Sequence, residues 1–497
     1  MAVEHVDVLI VGAGLSGIGG ACHLQRQCPG KTYAILEQRE GMGGTWDLFR
    51  YPGIRSDSDM YTLGYAFKPW TQAKAIADGP AILSYVHQTA QEYDVERHIR
   101  YRHRAVRAAW SSADAKWTVE AECGPSKEIA RFTCRFLYMC SGYYSYEAGY
   151  TPDFPGLERF KGRVVHPQKW TPDVDYKGKR VVVIGSGATA VTLVPEMAKD
   201  AAHVTMLQRS PSYIVSLPAQ DRVANFARKI LPARVAYGIA RWKNVLRAMF
   251  FYWLARRFPN AMKALVRAGL RQELGEDYDI RTHFKPPYQP WDQRLCLVPD
   301  ADLFKVLREG SASMVTDHID TFTEKGIRLK SGRELEADLV VTATGLNLVV
   351  LGGLHATVDG RPVEAPKTLS YKGMMVSDVP NFAYAVGYTN ASWTLKCDLV
   401  AGYVCRLINY MDRHGYRQCT PRRNDPSIVE EPLIDFNAGY VLRAIDQFPK
   451  QGSKTPWKLH QNYARDLLGL KFGAIEDGAM EFAGTPVSAG VVGKAVS

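Results

Sequence analysis

Two glycine-rich turns carry the clearest chemical signal in the sequence. The first follows an apolar run at residues 6–11 and consists of Gly12, Ala13, Gly14, Leu15, Ser16 and Gly17. In such a strand–turn–helix unit the glycines let the backbone approach a pyrophosphate, and the helix N-terminus supplies free N–H groups and a positive dipole end. Glu37 ends the next apolar run, about 20 residues after the turn, where an acid can accept hydrogen bonds from ribose hydroxyls. These residues predict a dinucleotide site, and its acidic ribose ligand suits FAD.

The second turn predicts a site for a different dinucleotide. It follows an apolar run at residues 180–184 and consists of Gly185, Ser186, Gly187, Ala188, Thr189 and Ala190. The next strand-like run, residues 204–208, is followed by Arg209 and Ser210 rather than by an acid. A guanidinium beside a hydroxyl can pair with a 2′-phosphate, which an acid would repel. We therefore predict NADPH at this site. The alternative is that Arg209 is a surface residue at the end of a strand.

Two dinucleotide sites in one chain indicate relay chemistry, in which one nucleotide is held as a prosthetic group and the other delivers a hydride. Each site needs parallel strands that alternate with helices. The predicted fold class is therefore α/β, with two Rossmann-like dinucleotide-binding domains. The length of 497 residues is enough for two or three packed domains.

Composition narrows the class of protein further. Hydrophobic residues make up 46% and charged residues 23% of the chain, as in ordinary globular proteins. The nine cysteines include no CxxC pair and no zinc-like spacing with histidine. We therefore expect reduced cysteines, no metal site and a cytoplasmic location. The N-terminal residues do not resemble a signal peptide.

The net charge of +11 is concentrated in one stretch. Between Arg222 and Arg271 there are twelve lysines or arginines and no acid, with aromatic and aliphatic residues between them. Such a stretch can lie on an anionic bilayer as a basic amphipathic helix. It can equally form a helical lid whose apolar face packs on the NADPH domain or covers a pocket. The charge does not by itself indicate nucleic acid.

A third motif lies just before the second turn. Its fixed residues are Phe160, Gly162, His166 and Trp170, spaced as FxGxxxHxxxW. With this motif the sequence resembles the class B flavoprotein monooxygenases, and within them the Baeyer–Villiger monooxygenases. One departure is Thr171, which stands where the family usually has Pro or Asp. The resemblance implies that the motif lies at the domain junction and couples NADP binding to domain motion. The alternative is that Phe160 and Trp170 pack a linker and that His166 is a hydrogen-bonded structural histidine.

Further segments are similar to the same family. Gly44, Thr45 and Trp46, after Gly43, resemble its flavin-contacting turn. Residues 51–57 resemble a loop with an active-site aspartate, here Asp57, and residues 291–294 resemble the segment with an active-site arginine, here Arg294. Residues 388–396 and 450–453 resemble the ethionamide-monooxygenase subgroup in particular.

The resemblance implies a split flavin domain. Residues 1–148 and 340–497 would form it, and residues 149–339 would be the inserted NADPH domain, with the basic stretch at about 222–271 as a helical part of it. Two hinges, near residues 141–150 and 343–347, would let the inserted domain move.

The implied reaction inserts one oxygen atom of O2 next to a ketone carbonyl and gives an ester or lactone. Oxidation of thioethers or thioamides is an expected second activity. Negative charge on oxygen develops in a site without water, and a fixed guanidinium neutralises it best. Arg294 is the candidate, held by Asp57, with Asp59 as a competing carboxylate. The alternatives are a structural ion pair for Arg294 and a loop cap for Asp57.

Three other functions require different features of the sequence. A flavin disulfide reductase needs a pair of redox-active cysteines, which the sequence lacks. An N-oxygenating flavin monooxygenase would not be expected to combine FxGxxxHxxxW with an arginine like Arg294. A membrane-surface flavoprotein scaffold without activity is the alternative outside enzymes.

Overall fold

The computed structural model describes residues 3–293, 295–434 and 436–484. Its strands within these ranges are β1 Glu4–Val11, β2 Tyr33–Leu36, β3 Ile99–Arg100, β4 His103–Ser111, β5 Lys116–Cys123, β6 Glu128–Met139, β7 Tyr144–Gly149, β8 Arg163–Val165, β9 Arg180–Ile184, β10 His203–Gln208, β11 Ile214–Leu217, β12 Cys296–Pro299, β13 Ala312–Thr316, β14 Ile319–Phe322, β15 Gly326–Leu329, β16 Glu334–Glu336, β17 Leu339–Thr342, β18 Leu346–Leu348, β19 His355–Val358, β20 Arg361–Pro362, β21 Ser370–Tyr371, β22 Met375–Val376, β23 Phe382–Tyr384, β24 Gln418–Pro421, β25 Glu430–Pro432, β26 Lys450–Gly452 and β27 Met480–Ala483.

The α-helices connect and cover these strands. They are α1 Leu15–Gln27, α2 Thr45–Leu48, α3 Met60–Leu63, α4 Gly79–Glu92, α5 Ala188–Met197, α6 Arg222–Ile230, α7 Ala233–Arg257, α8 Pro259–Leu274, α9 Ile280–His283, α10 Asp302–Glu309, α11 Trp393–His414, α12 Gly439–Leu442 and α13 Tyr463–Leu467.

The first large sheet is built around β1. This strand lies between β2 and β6 and runs parallel to both. β3 extends the sheet beyond β2, while β23 joins the far end of β6. Leu9 and Ile10 are completely buried, as expected for a central strand that is covered on both faces. Helix α1 packs against α11, which spans Trp393–His414. A segment late in the chain therefore belongs to the same domain as the N-terminal strand.

The second sheet is entirely parallel, in the order β13-β10-β9-β17-β8. β9 leads into the second glycine turn and α5. The predicted α/β class with two Rossmann-like domains is therefore confirmed. The predicted boundary between residues 339 and 340 falls inside β17, whose partners β9 and β8 both belong to this second sheet. We therefore propose that the return to the first domain follows Thr342.

Two linkers join the domains, and they pair with each other. β7 and β18 form an antiparallel ribbon in which Leu346 faces Gly149 and Leu348 faces Tyr144. At the end of the ribbon, Tyr150 N–H donates to the Gly345 carbonyl over 3.0 Å. The predicted hinge segments are therefore held side by side.

The basic stretch folds into three consecutive helices, α6, α7 and α8. α7 packs on α3 of the first domain. Arg241 at the centre of α7 is buried, donates to the Tyr61 and Gly64 carbonyls over 2.8 Å each, and pairs with Asp398 on α11 over 3.4 Å. These contacts tie the basic insert to the first domain.

Candidate active site

The first glycine turn lines a cavity of about 430 Å³. Gly12, Gly14, Leu15, Ser16 and Glu37 all contribute to its wall. The backbone at Gly12 has φ +106°, and a Cβ there would lie 2.5 Å from the Cys140 carbonyl oxygen. At Gly17 a Cβ would lie 1.8 Å from the Gly12 carbonyl oxygen. These positions exclude any side chain, which explains why the turn requires glycine at both.

Glu37 is buried at the end of β2 and is oriented by the backbone. Its Oε2 accepts from the Ala13 N–H over 2.8 Å, and its Oε1 accepts from the Arg39 N–H over 2.9 Å. Burial raises the pKa of the Glu37 carboxyl, while the two N–H donors oppose this effect. The carboxylate thus lies beside the glycine turn with its remaining lone pairs available to a ribose.

The second wall of this cavity comes from Gly44, Thr45 and Trp46. Gly44 has φ +57°, and a Cβ there would lie 3.0 Å from Gly14 Cα. The two glycine turns therefore approach each other backbone to backbone in the wall of the cavity. The same wall contains the N-terminus of α1 and Glu37, which are the groups expected to bind the pyrophosphate and a ribose of a dinucleotide such as FAD. One guanidinium nitrogen of Arg39 is buried and has no hydrogen-bond partner within the described ranges.

In the second glycine turn, as in the first, a glycine with positive φ lies against a backbone carbonyl group. Gly185 has φ +138°, and a Cβ there would lie 2.3 Å from the Ala343 carbonyl oxygen, whereas Gly187 faces open space. Ser186 Oγ lies 2.8 Å from Ser212 Oγ and donates to the Ser210 carbonyl over 3.2 Å. Arg209 is exposed at the end of β10. The structure thus leaves its guanidinium accessible at the position predicted for a 2′-phosphate ligand.

The two nucleotide sites meet at α5. Ala188 and Thr192, on the helix that follows the second turn, line the first cavity. Tyr51 and Arg55 line it from the other domain, and Arg55 pairs with Asp302 of α10. Residues of the second domain therefore form part of the wall of the first site, as hydride transfer between two bound nucleotides requires.

A larger cavity of about 920 Å³ adjoins the first. Asp57, Ser58 and Leu297 line both cavities. Its remaining wall is mostly apolar and includes Ile214, Val245, Met249, Phe251, Tyr252, Val266, Leu270 and Leu295. Helix α7 closes one side, where the lid interpretation of the basic stretch predicts it. The cavity can hold a sizeable apolar molecule next to the first site.

The two carboxylates of the loop before α3 have different surroundings. Asp59 is the N-cap of α3: its Oδ1 accepts from the N–H groups of Tyr61 and Thr62 over 3.1 Å each and from Asn244 Nδ2 over 2.9 Å. Asp57 instead lies at the junction of the two cavities. Arg294 lies outside the described residues; Trp291 and Leu295 on either side of it line the larger cavity.

The FxGxxxHxxxW residues contact the linkers. His166 Nδ1 accepts from the Gln168 N–H over 3.1 Å, so Nε2 carries the proton and donates to the Gly345 carbonyl over 3.1 Å. Burial lowers the pKa of His166. A Cβ on Gly149 would lie 1.9 Å from the His166 ring. The histidine therefore contacts both linkers, one at the end of β7 and the other just before β18.

The other residues of this motif have packing roles. Phe160 meets Phe322 edge to face at 5.9 Å between ring centroids. A Cβ on Gly162 would lie 2.5 Å from the Phe160 ring. Trp170 meets Tyr176 at 6.3 Å. Phe160 and Trp170 therefore make packing contacts of the kind that the alternative interpretation predicts. Of the contacts described for this motif, those of His166 are with the linkers.

Sequence reasoning missed two residues of the first site. Trp393, the first residue of α11, lines the cavity and donates from Nε1 to Ser16 Oγ over 3.0 Å. Tyr146, on linker strand β7, lines the same cavity beneath the Arg39 guanidinium, whose carbon lies 5.8 Å from the ring centroid. Trp393 lies within the segment similar to the ethionamide-monooxygenase subgroup, and that similarity was the only signal for it.

Comparison with known proteins adds to this geometry. The family Flavin-binding monooxygenase-like matches residues 76–348, and an NAD(P)-binding Rossmann-like domain matches residues 10–76. The chain is 55% identical over 489 residues to the FAD-containing monooxygenase EthA of Mycobacterium tuberculosis, covering 98% of this chain and 100% of EthA. The chain belongs to the flavin-binding monooxygenase-like family.

Solved structures share the fold of this flavin monooxygenase. One is oxidized steroid monooxygenase bound to NADP, with a TM-score of 0.75 and 23% identity, covering 96% of this chain and 99% of that one. Another is cyclohexanone monooxygenase from Rhodococcus sp. Phi1 bound to NADP+, with a TM-score of 0.75 and 20% identity, covering 97% and 100%. At this identity the solved structures show the fold. Membership of the family confirms the predicted flavoprotein monooxygenase, with FAD and NADPH as its cofactors.

We expect Arg209 to select NADPH over NADH. Losing a charge-assisted phosphate contact costs about 1.5–3 kcal/mol, so Arg209→Ala should raise KM for NADPH about 10-fold to 150-fold. KM for NADH should hardly change, since NADH lacks the phosphate. Steady-state kinetics with both nucleotides measure this. Equal effects on the two would exclude the role.

We expect His166 to couple the domains. His166→Ala should lower kcat at saturating NADPH, because the linkers lose a shared contact, while FAD stays bound. His203→Ala is the matched control: it removes a half-buried ring that bonds Ser313 Oγ over 2.8 Å, away from the linkers. Loss of FAD from His166→Ala, or equal turnover in both variants, would favour a packing role alone.

We expect substitution of Asp59 to lower stability and substitution of Asp57 to lower turnover. Asp59→Ala removes the cap of α3 and should lower the free energy of unfolding by about 0.5–2 kcal/mol. Asp57→Ala should leave unfolding unchanged and lower turnover of the FAD-bound protein. Thermal unfolding and turnover, measured on both variants, distinguish these roles. A turnover defect confined to Asp59→Ala would reverse the assignment.

Proposed function

We propose that this flavin monooxygenase inserts one oxygen atom of O2 next to a ketone carbonyl and gives an ester or lactone. The observation that carries the proposal is the adjacency of the two cavities, which share Asp57 and Ser58. One cavity fits FAD, and the other is large and mostly apolar. A ketone held there would lie beside the nucleotide and away from bulk water.

When bound, the flavin supplies the activation of O2, with NADPH as the source of electrons. The protein must then neutralise negative charge that develops on oxygen at the junction of the cavities. We assign this task to Arg294, because a guanidinium stays charged and offers several donors. Asp57 would hold that guanidinium in position. The residues 51–57 and 291–294 that resemble the family's loops support both roles.

The apolar wall also favours a second candidate, the oxidation of thioethers or thioamides. Segments 388–396 and 450–453 resemble the ethionamide-monooxygenase subgroup, and the chain is 55% identical to EthA. Thr389, Asn390 and Ser392 of the first segment line the larger cavity. They add polar groups to a mostly apolar wall, which suits a substrate with a small polar group such as a carbonyl or a thioamide.

A substrate panel tests the proposal. Purified holoenzyme, NADPH and 18O2 should convert a member of a panel of linear, cyclic and aryl ketones into an ester that contains one 18O atom. Thioethers and thioamides belong in the same panel. Conversion of sulfur compounds with no ester from any ketone would favour sulfur oxidation. NADPH oxidation that yields only hydrogen peroxide throughout would contradict both candidates.

Arg294 decides the reaction class. Arg294→Ala should fold, bind FAD and still accept electrons from NADPH. It should lose ester formation by about a hundredfold to a thousandfold, because one fixed electrostatic group at the reacting oxygen is worth that much, and its oxygen should leave as hydrogen peroxide. Arg281→Ala, which removes an exposed arginine of the same domain, is the control and should form ester normally. Near wild-type ester formation by Arg294→Ala would refute the assignment.

A further inference from the structure

The three basic helices present an exposed apolar surface. Of the nineteen exposed large hydrophobic side chains in the described part of the chain, eleven lie on these helices and a twelfth, Phe258, lies between α7 and α8. We call these twelve the apolar face: Val223, Phe226, Ile230, Val235, Ile239, Trp242, Leu246, Phe250, Phe251, Trp253, Phe258 and Leu265. Soluble monomers rarely expose so many large apolar side chains together, and such a surface indicates an interaction site.

Helix α7 has two apolar sides. Its exposed members of the apolar face recur every three or four residues from Val235 to Trp253 and so form one stripe along the helix. Its other side is buried and includes Ala236, Ala240 and Val245. Folding of the chain therefore accounts for one side only. At 1.5 Å per residue, the exposed stripe from Val235 to Trp253 extends over about 27 Å of the helix.

The positive charge of the three helices indicates what kind of partner the apolar face can bind. Residues 222–271 contain no acid. Four of their cations pair with acids elsewhere: Arg241 with Asp398, Lys243 with Asp221, Arg256 with Asp292 and Arg271 with Glu276. Six exposed cations form no ion pair within the described ranges: Arg222, Lys229, Arg234, Arg247, Arg257 and Arg267. The apolar face is therefore interspersed with unneutralised positive charge, and its partner must be apolar and anionic.

A second copy of the chain does not meet this requirement. A two-fold interface would bring the same six cations of both copies together without acids between them, and like charges across an interface oppose association. An anionic bilayer offers both components: acyl chains for the apolar side chains and phosphate groups for the arginines and lysines. Within the described ranges, no helix is long and apolar enough to cross a membrane.

The larger cavity opens beside the apolar face. Phe250, Phe251, Trp253 and Leu265 are exposed members of the apolar face and also line that cavity. We propose that α6, α7 and α8 lie on the surface of an anionic lipid bilayer, with the cavity mouth towards the lipid. Apolar substrates would then enter from the bilayer without crossing water. The surface contact itself does not depend on which substrate is oxidised.

Vesicle binding by the holoenzyme tests the proposal. It should co-sediment with vesicles of phosphatidylcholine and phosphatidylglycerol at low salt, and much less with phosphatidylcholine alone. High salt should reverse the binding, because it screens exposed charges. Brominated acyl chains should quench tryptophan fluorescence, since Trp242 and Trp253 belong to the apolar face.

Paired variants locate the contact. Ile239→Ser/Leu246→Ser removes two exposed members of the stripe that do not line the cavity, and should weaken vesicle binding by at least about tenfold. Leu468→Ser/Phe472→Ser is the matched control, because these side chains are 62% and 67% exposed and lie outside α6, α7 and α8. It should bind as the wild type does. FAD content and thermal unfolding of both variants verify that each is folded.

Three results would overturn the proposal. The wild type could remain in the supernatant with phosphatidylglycerol vesicles at low salt. The two paired variants could bind equally well. A concentration-dependent dimer that Ile239→Ser/Leu246→Ser dissociates, without vesicle binding by the wild type, would assign the apolar face to a second copy.

Discussion

The structure depends on two places where backbone must touch backbone without an intervening side chain. Gly12 lies against the Cys140 carbonyl, and Gly185 lies against the Ala343 carbonyl, each at a distance that no Cβ permits. Cys140 follows β6, and Ala343 follows β17, so both contacts occur where the chain leaves a sheet towards a linker. The glycines thus shape the nucleotide turns and also fix each turn against a connection between the domains.

We propose that this constraint couples the two sites. The linkers pair as β7 and β18, and His166 contacts them through the Gly345 carbonyl and through its packing on Gly149. A nucleotide at the second turn would lie at the start of α5, whose Ala188 and Thr192 line the first cavity. Burial lowers the pKa of His166 and so favours the neutral ring. The hydrogen bond from His166 Nε2 to the Gly345 carbonyl is therefore one between uncharged groups.

Local features were predictable from the sequence, and contacts between distant segments were not. The glycine turns, Glu37 and the α/β class follow from short-range spacing, because strand, turn and helix are consecutive in the chain. The bond of Trp393 to Ser16 and the pair of Arg55 with Asp302 join residues hundreds of positions apart. Composition likewise could not distinguish buried Arg241 from exposed Arg234 in the same basic stretch; only the packing of α7 on α3 separates them.

Because the two dinucleotide sites adjoin at α5, we expect NADPH to reduce a bound flavin within one protein. Anaerobic stopped-flow mixing of the purified holoenzyme with NADPH tests this most directly. One equivalent of NADPH should bleach the visible absorbance of the flavin without any substrate, and NADPH deuterated at the transferred position should do so more slowly. A flavin that stays oxidised with NADPH but is bleached by dithionite would contradict it.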